Sequence, residues 1–120
     1  MPKTILVDFD GVIHSYTSSW INATTISDPP VEGAFQWLTS ISSLFNVAIY
    51  SSRSHAFGGI AAMRAWFKSH GMPSHVLARL TFPTTKPPAC ITIDDRAWLF
   101  KGPGTFPTGQ EILNFKPWNR

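Results

Sequence analysis

Asp8 and Asp10 flank Phe9, are followed by Gly11, and come directly after the apolar run Ile5-Leu6-Val7. A second acidic pair, Asp94-Asp95, directly follows Ile91-Thr92-Ile93. The chain has only seven acidic residues, and these two junctions take four of them. Carboxylates two positions apart share a face of an extended chain, and a glycine behind them allows a backbone turn that other residues resist. Asp8 can then attack a phosphorus atom while Asp10 protonates the leaving oxygen and later deprotonates water, which splits one hard displacement into two easier ones. Such a nucleophile approaches a phosphate dianion, so like charges must be neutralised. A hard cation on oxygen ligands does this, and Mg²⁺ suits carboxylates combined with substrate phosphate. Asp94 and Asp95 are the natural source of the remaining metal ligand, because adjacent acids at a strand end are costly to bury unpaired.

A third apolar run, Val47-Ala48-Ile49-Tyr50, leads into Ser51-Ser52-Arg53. Hydroxyls and free backbone N–H groups at such a junction can hold a phosphate. Lys86 stands in an otherwise cation-free loop and could neutralise both the nucleophile and the transferring phosphoryl group. Arg53 could grip a second anionic group, His14 is a further candidate substrate contact, and Trp20 could stack on a base or sugar.

These junctions serve one site only if they converge, and in an α/β protein ligands bind at the carboxyl ends of parallel strands. The patterning supplies such elements. Residues 4–8, 46–50, 75–80 and 90–93 read as strands. Ala34, Trp37, Leu38, Ile41 and Leu44 fall at helical spacing, as do Ile60, Met63, Trp66 and Phe67, the latter set closed by Gly71 and Pro73. Trp37 and Trp66 are expected in the core. Residues 11–30 are polar and β-leaning, long enough for a hairpin flap, and a short helix is expected near 110–114. Strands alternating with helices call for a parallel sheet.

Composition narrows the setting. The 120 residues suit one domain spanning 1–120. No stretch approaches the roughly 18 uninterrupted apolar residues of a membrane span, and the N-terminal residues show no charged-then-apolar leader. Cys90 is the single cysteine, so neither a disulfide framework nor a cysteine-based zinc site is expected, and a cytoplasmic location fits best. The net charge of +3 reflects scarce acids rather than a basic tract. With four acids around a cation, the remaining surface favours anionic substrates, including nucleotides and nucleic-acid ends.

The order DFDGV, then VAIYSSRS, then Lys86, then ITIDD resembles the four motifs of the haloacid dehalogenase superfamily, whose members are aspartate-nucleophile phosphatases and phosphotransferases. The resemblance runs from Ile5 to Asp95. It implies a Rossmann-like three-layer sandwich around a mainly parallel sheet of about five strands. It makes Asp8 the nucleophile and Asp10 the acid/base, with Asp10 also giving its backbone carbonyl to Mg²⁺. Ser51 and Lys86 become phosphate ligands, beside Ser52, which the strand-end reading already offers, and Asp94 becomes a metal ligand supported by Asp95. The spans between motifs leave room for a flap at about 11–30 but no cap domain. Capless members tend to act on macromolecular ends or borrow a neighbouring subunit as lid, so a homo-oligomer is one expectation. The function implied is Mg²⁺-dependent hydrolysis of a phosphomonoester, of a nucleotide or polynucleotide or of another small phosphorylated molecule, through an aspartyl-phosphate. The alternatives are a catalytically silent binding module of the same type and a phosphotransferase. A phosphoryl-accepting receiver domain places its acidic pair first and its Lys last, which is not the order here.

Overall fold

Four short segments pair side by side, three of them the apolar runs expected as strands. β1 (Thr4–Val7), β2 (Asn46–Ile49), β3 (Leu80–Thr81) and β4 (Ile91–Ile93) form one all-parallel sheet in the order β3-β2-β1-β4. The structure is a computed structural model that describes residues 2–120. The register aligns Ile91, Ile5, Val47 and Leu80 across all four strands, with Ile93, Val7 and Ile49 in the next row on the same face. Alternate residues point to one side of a pleated sheet, and these side chains lie in or against the hydrophobic core, except Ile91 on the edge strand, which is exposed. Leu38 from helix α1 (Ala34–Ile41) meets them there, as do Met63, Trp66 and Phe67 from α2 (Gly59–Ser69).

The local sequence explains where these helices stop. Ser42 and Ser43 turn their hydroxyls back onto the carbonyls of Thr39 and Ser40 at the end of α1, a competition that favours helix ends over helix interiors. Helix α2 closes when Met72 N–H donates to Phe67 O and Gly71 N–H to Lys68 O, a Schellman closure that Gly71 permits with φ of 87°.

Several expectations need correction. The sheet has four strands, not five. After β4 the chain passes Gly102, Pro103, Gly104 and Pro107, and prolines supply no ladder donor. Residues 75–80 are not a strand. Pro73 opens the short helix α3 (Ser74–Leu77), accepting the N–H groups of Val76 and Leu77 at 3.0 Å each, and only Leu80 and Thr81 remain extended. Residues 11–30 form no regular hairpin; isolated bridges join Asp10 to His14, His14 to Pro30 and Asn22 to Thr25. Trp66 is buried as expected, but Trp37 is partly exposed and lines an apolar groove with Val12, Val31 and Ile93. Helix α4 (Gly109–Asn114), capped by Thr108 and Glu111, buries none of its residues. No helix among the described residues is long and apolar enough to cross a membrane.

Candidate active site

The ladder hydrogen bonds carry each reactive residue just past a strand end. Asp8 N–H donates to Ile93 O at 2.9 Å and Tyr50 N–H to Val7 O at 3.1 Å. Asp8, Tyr50 and Asp94 are therefore the first residues beyond β1, β2 and β4, at one edge of a parallel sheet. The strand order reverses between β1 and β4, and such a switch point opens a crevice at the carboxyl ends of the strands.

Carboxylate oxygens of Asp8, Asp94 and Asp95 all lie within 4.8 Å of one another. Both Asp95 oxygens are buried without a hydrogen-bond partner. The nearest cation, Arg96 Nε, is 3.9 Å away, too far for a hydrogen bond. Burial pushes Asp8 up to about 8, and the neighbouring charges of Asp94 and then Asp95 add to it. Unpartnered buried oxygens and crowded like charges are what a hard cation satisfies, and an all-oxygen donor set suits Mg²⁺ or Ca²⁺. Gly11 makes room for this cluster. It adopts φ of 86°, and a Cβ there would collide with the Asp95 carboxylate.

Because Asp8 must ionise to act as a ligand, metal binding should release a proton. Mg²⁺ affinity is expected to rise with pH up to about 8 and then level off. Calorimetry at pH 7 in buffers of different ionisation enthalpy should report close to one proton released per ion, and none would contradict this arrangement.

Asp8, Asp10, Ser51, Ser52 and Asp94 share one cavity of about 300 Å³ with Tyr16, Trp20 and Arg96. Ser51 is buried and caps the 3-10 turn Ser52–His55, accepting Arg53 N–H at 3.0 Å, which leaves its hydroxyl proton free to donate. Ser52 is exposed at the same edge. Lys86 is exposed and borders a smaller adjoining cavity with Asp8, Asp94 and Tyr50. Asp8 and Asp94 thus stand between the two cavities, with the serines on one side and Lys86 on the other.

Arg53 and His14, expected as substrate contacts, are buried instead, each only 1% exposed. Arg53 Nε donates to both Asp10 oxygens at 2.9 and 3.1 Å, while Nη1 donates to the carbonyls of Asn22, Ala23 and Thr25. His14 Nε2 accepts Asp28 N–H at 3.1 Å, so the ring proton is assigned to Nδ1, which donates to Asp10 Oδ1 at 2.9 Å. Asp28 is in turn fixed by Ser18. Burial opposes its ionisation, but the Ser18 hydroxyl and N–H, at 2.6 and 2.8 Å, hold it below the ordinary carboxylate range. Arg53 and His14 therefore position Asp10 and tie it to the 11–30 segment.

The chain end adds contacts that no motif announces. Trp118 Nε1 donates to Gly11 O at 2.6 Å, Asn119 Nδ2 to Ser15 O at 2.9 Å and Arg120 Nη1 to Tyr16 O at 3.2 Å. These contacts pin residues 11–16 beside the acidic cluster, and nothing in their spacing signals them. Sequence reasoning also missed Arg96, although it directly follows the second acidic pair.

No protein-family model, curated protein or solved structure matches the chain.

Proposed function

We propose that this protein is a Mg²⁺-dependent phosphomonoester hydrolase of the haloacid dehalogenase type, with a Rossmann-like fold, that works through an aspartyl-phosphate. The observation that carries this reading is the approach of Asp8, Asp94 and Asp95 within 4.8 Å, beside a cavity lined by Ser51 and Ser52. Asp8 attacks phosphorus, the ester P–O bond breaks, and the leaving oxygen takes its proton from Asp10. Water then attacks phosphorus, Asp10 takes the water's proton, and the bond from phosphorus to Asp8 breaks, releasing inorganic phosphate. Asp8, Asp94 and the Asp10 carbonyl, with Asp95 in support, would hold a Mg²⁺, which would supply charge neutralisation. Ser51 and Ser52 orient the phosphate. Asp10 lines the cavity while Arg53 and His14 grip its carboxylate, so proton transfer requires one oxygen to turn towards the ester. The lone, exposed Cys90 suits a reducing compartment, and we assign the protein to the cytoplasm on that ground.

Phosphate release from p-nitrophenyl phosphate should require Mg²⁺ and stop on chelation; release undiminished by excess EDTA would sink the reading. Lys86→Ala should lower turnover roughly 10²- to 10³-fold by removing a cation from the developing charge. Its melting temperature should hardly move, because Lys86 is exposed in a loop. Turnover unchanged in the variant would show that another cation serves the phosphoryl group.

A further inference from the structure

Trp20 lines the same cavity as Asp8 and Ser51, yet 46% of it is exposed. Its ring lies over the Arg53 guanidinium, 4.7 Å from carbon to centroid. Arg53 is itself fixed by Asp10 and three backbone carbonyls. The indole is thus backed by an immobile cation while nearly half of the residue stays open to solvent. The backbone around it is bent at some cost, since Tyr16 and Ser19 adopt φ of 59° and 66°. Such conformations are unfavourable for non-glycine residues and persist where the surroundings enforce them. Here Arg120 holds Tyr16 O, and its guanidinium lies 5.2 Å from the Tyr16 ring, with that of Arg96 at 6.0 Å. The mouth of the cavity therefore presents two aromatic rings among guanidinium groups, directly beside the phosphate-handling residues.

We propose that the substrate is a phosphomonoester carrying a nucleobase, with the base stacked on the outward face of Trp20 and a second anionic group on Arg96; this rests on the phosphohydrolase reading above. A bare sugar phosphate would leave the indole face without a partner. Every nucleobase has a π face to set on an aromatic ring, and a further phosphate meets the exposed Arg96 at the same mouth. A free mononucleotide and the phosphorylated end of a strand share this chemistry.

The test compares kcat/KM, with Mg²⁺ present, for a nucleoside 5′-monophosphate, a 3′-phosphorylated dinucleotide, ribose 5-phosphate and phosphotyrosine. The nucleobase-bearing substrates should exceed ribose 5-phosphate at least tenfold, chiefly through KM. In Trp20→Ala that ratio should fall roughly 10- to 100-fold, the range expected for stacking one base on an aromatic ring, and Trp20→Phe should restore most of it. A dinucleotide advantage that Arg96→Ala removes would identify a strand end, and equal values a free nucleotide. Ribose 5-phosphate cleaved as well as the nucleotides, an unchanged ratio in Trp20→Ala, or a preference for phosphotyrosine would each overturn the proposal. If no substrate turns over, the hydrolase reading fails. Calorimetry with AMP on the same protein then judges the platform by itself, which binding lost in Trp20→Ala upholds and absence of binding overturns.

Discussion

Asp8→Asn should abolish Mg²⁺-dependent phosphate release while making the metal-free protein more stable at alkaline pH. If Asp8 is the covalent nucleophile of the proposed mechanism, its removal costs on the order of 10⁴-fold or more in turnover, because no other group would form the intermediate. The stability effect runs the opposite way. In the folded chain, burial and then Asp94 and Asp95 raise Asp8 from 3.8 to about 8. Between those values the folded state binds a proton that the unfolded state has already lost, so stability falls as pH rises through that window. A neutral Asn carries no such penalty. Asp8→Asn should therefore match the parent near pH 4 and melt at a higher temperature near pH 8, in the absence of metal. Under the proposed metal site, added Mg²⁺ should stabilise the parent more than the variant, since an ion that binds only the folded state stabilises it by mass action. A variant that is inactive and also destabilised at pH 8 would mean that Asp8 is held by partners other than its acidic neighbours.

Arg53→Ala should be the most damaging single change to the fold. The side chain is buried and is shared between the Asp10 carboxylate and the carbonyls of Asn22, Ala23 and Thr25. Truncation strands a partly buried charge and three acceptors, and breaking such a pair costs about 3–5 kcal/mol, which should lower Tm by roughly 10–20 °C. Lys at this position should rescue little, since one ammonium cannot reproduce the fork that spans Asp10 and the carbonyls. Combining Arg53→Met with Asp10→Asn should recover part of the loss by removing the orphaned charge. A Tm within a few degrees of the parent for Arg53→Ala would show that water replaces the guanidinium at no cost.

The contrast between Asp8 and Arg53 marks how far the sequence could be read. Asp8, Asp94, Ser51 and Ser52 come after apolar runs, and a residue that ends a parallel strand is placed by the sheet itself. Their convergence was therefore legible as soon as the runs were read as strands. Arg53 comes after the same serines, and its spacing alone suggested an outward, substrate-gripping role. Its actual partners lie 28 to 43 residues away in a segment without regular structure, where no periodicity announces a contact. His14 failed as a substrate contact for the same reason. Its two nitrogens are taken by Asp10, four residues off, and by the backbone of Asp28, fourteen residues on. Residues 75–80 misled because a short apolar stretch serves strand and helix equally, and Pro73 decided for the helix.

By itself the sequence determined the alternation of strand and helix, the uninterrupted apolar runs that bury the central strands, and the reactive residues at three strand ends. These are local properties, set by period and by the residue types that close each run. Only the tertiary structure decided that Asp95 is left with two unpartnered buried oxygens, that Arg53 faces inward onto Asp10, and that Trp118 closes onto Gly11 across 107 positions. Those outcomes depend on which distant groups share a desolvated space, and burial and pairing are properties of the packed chain rather than of any stretch of it.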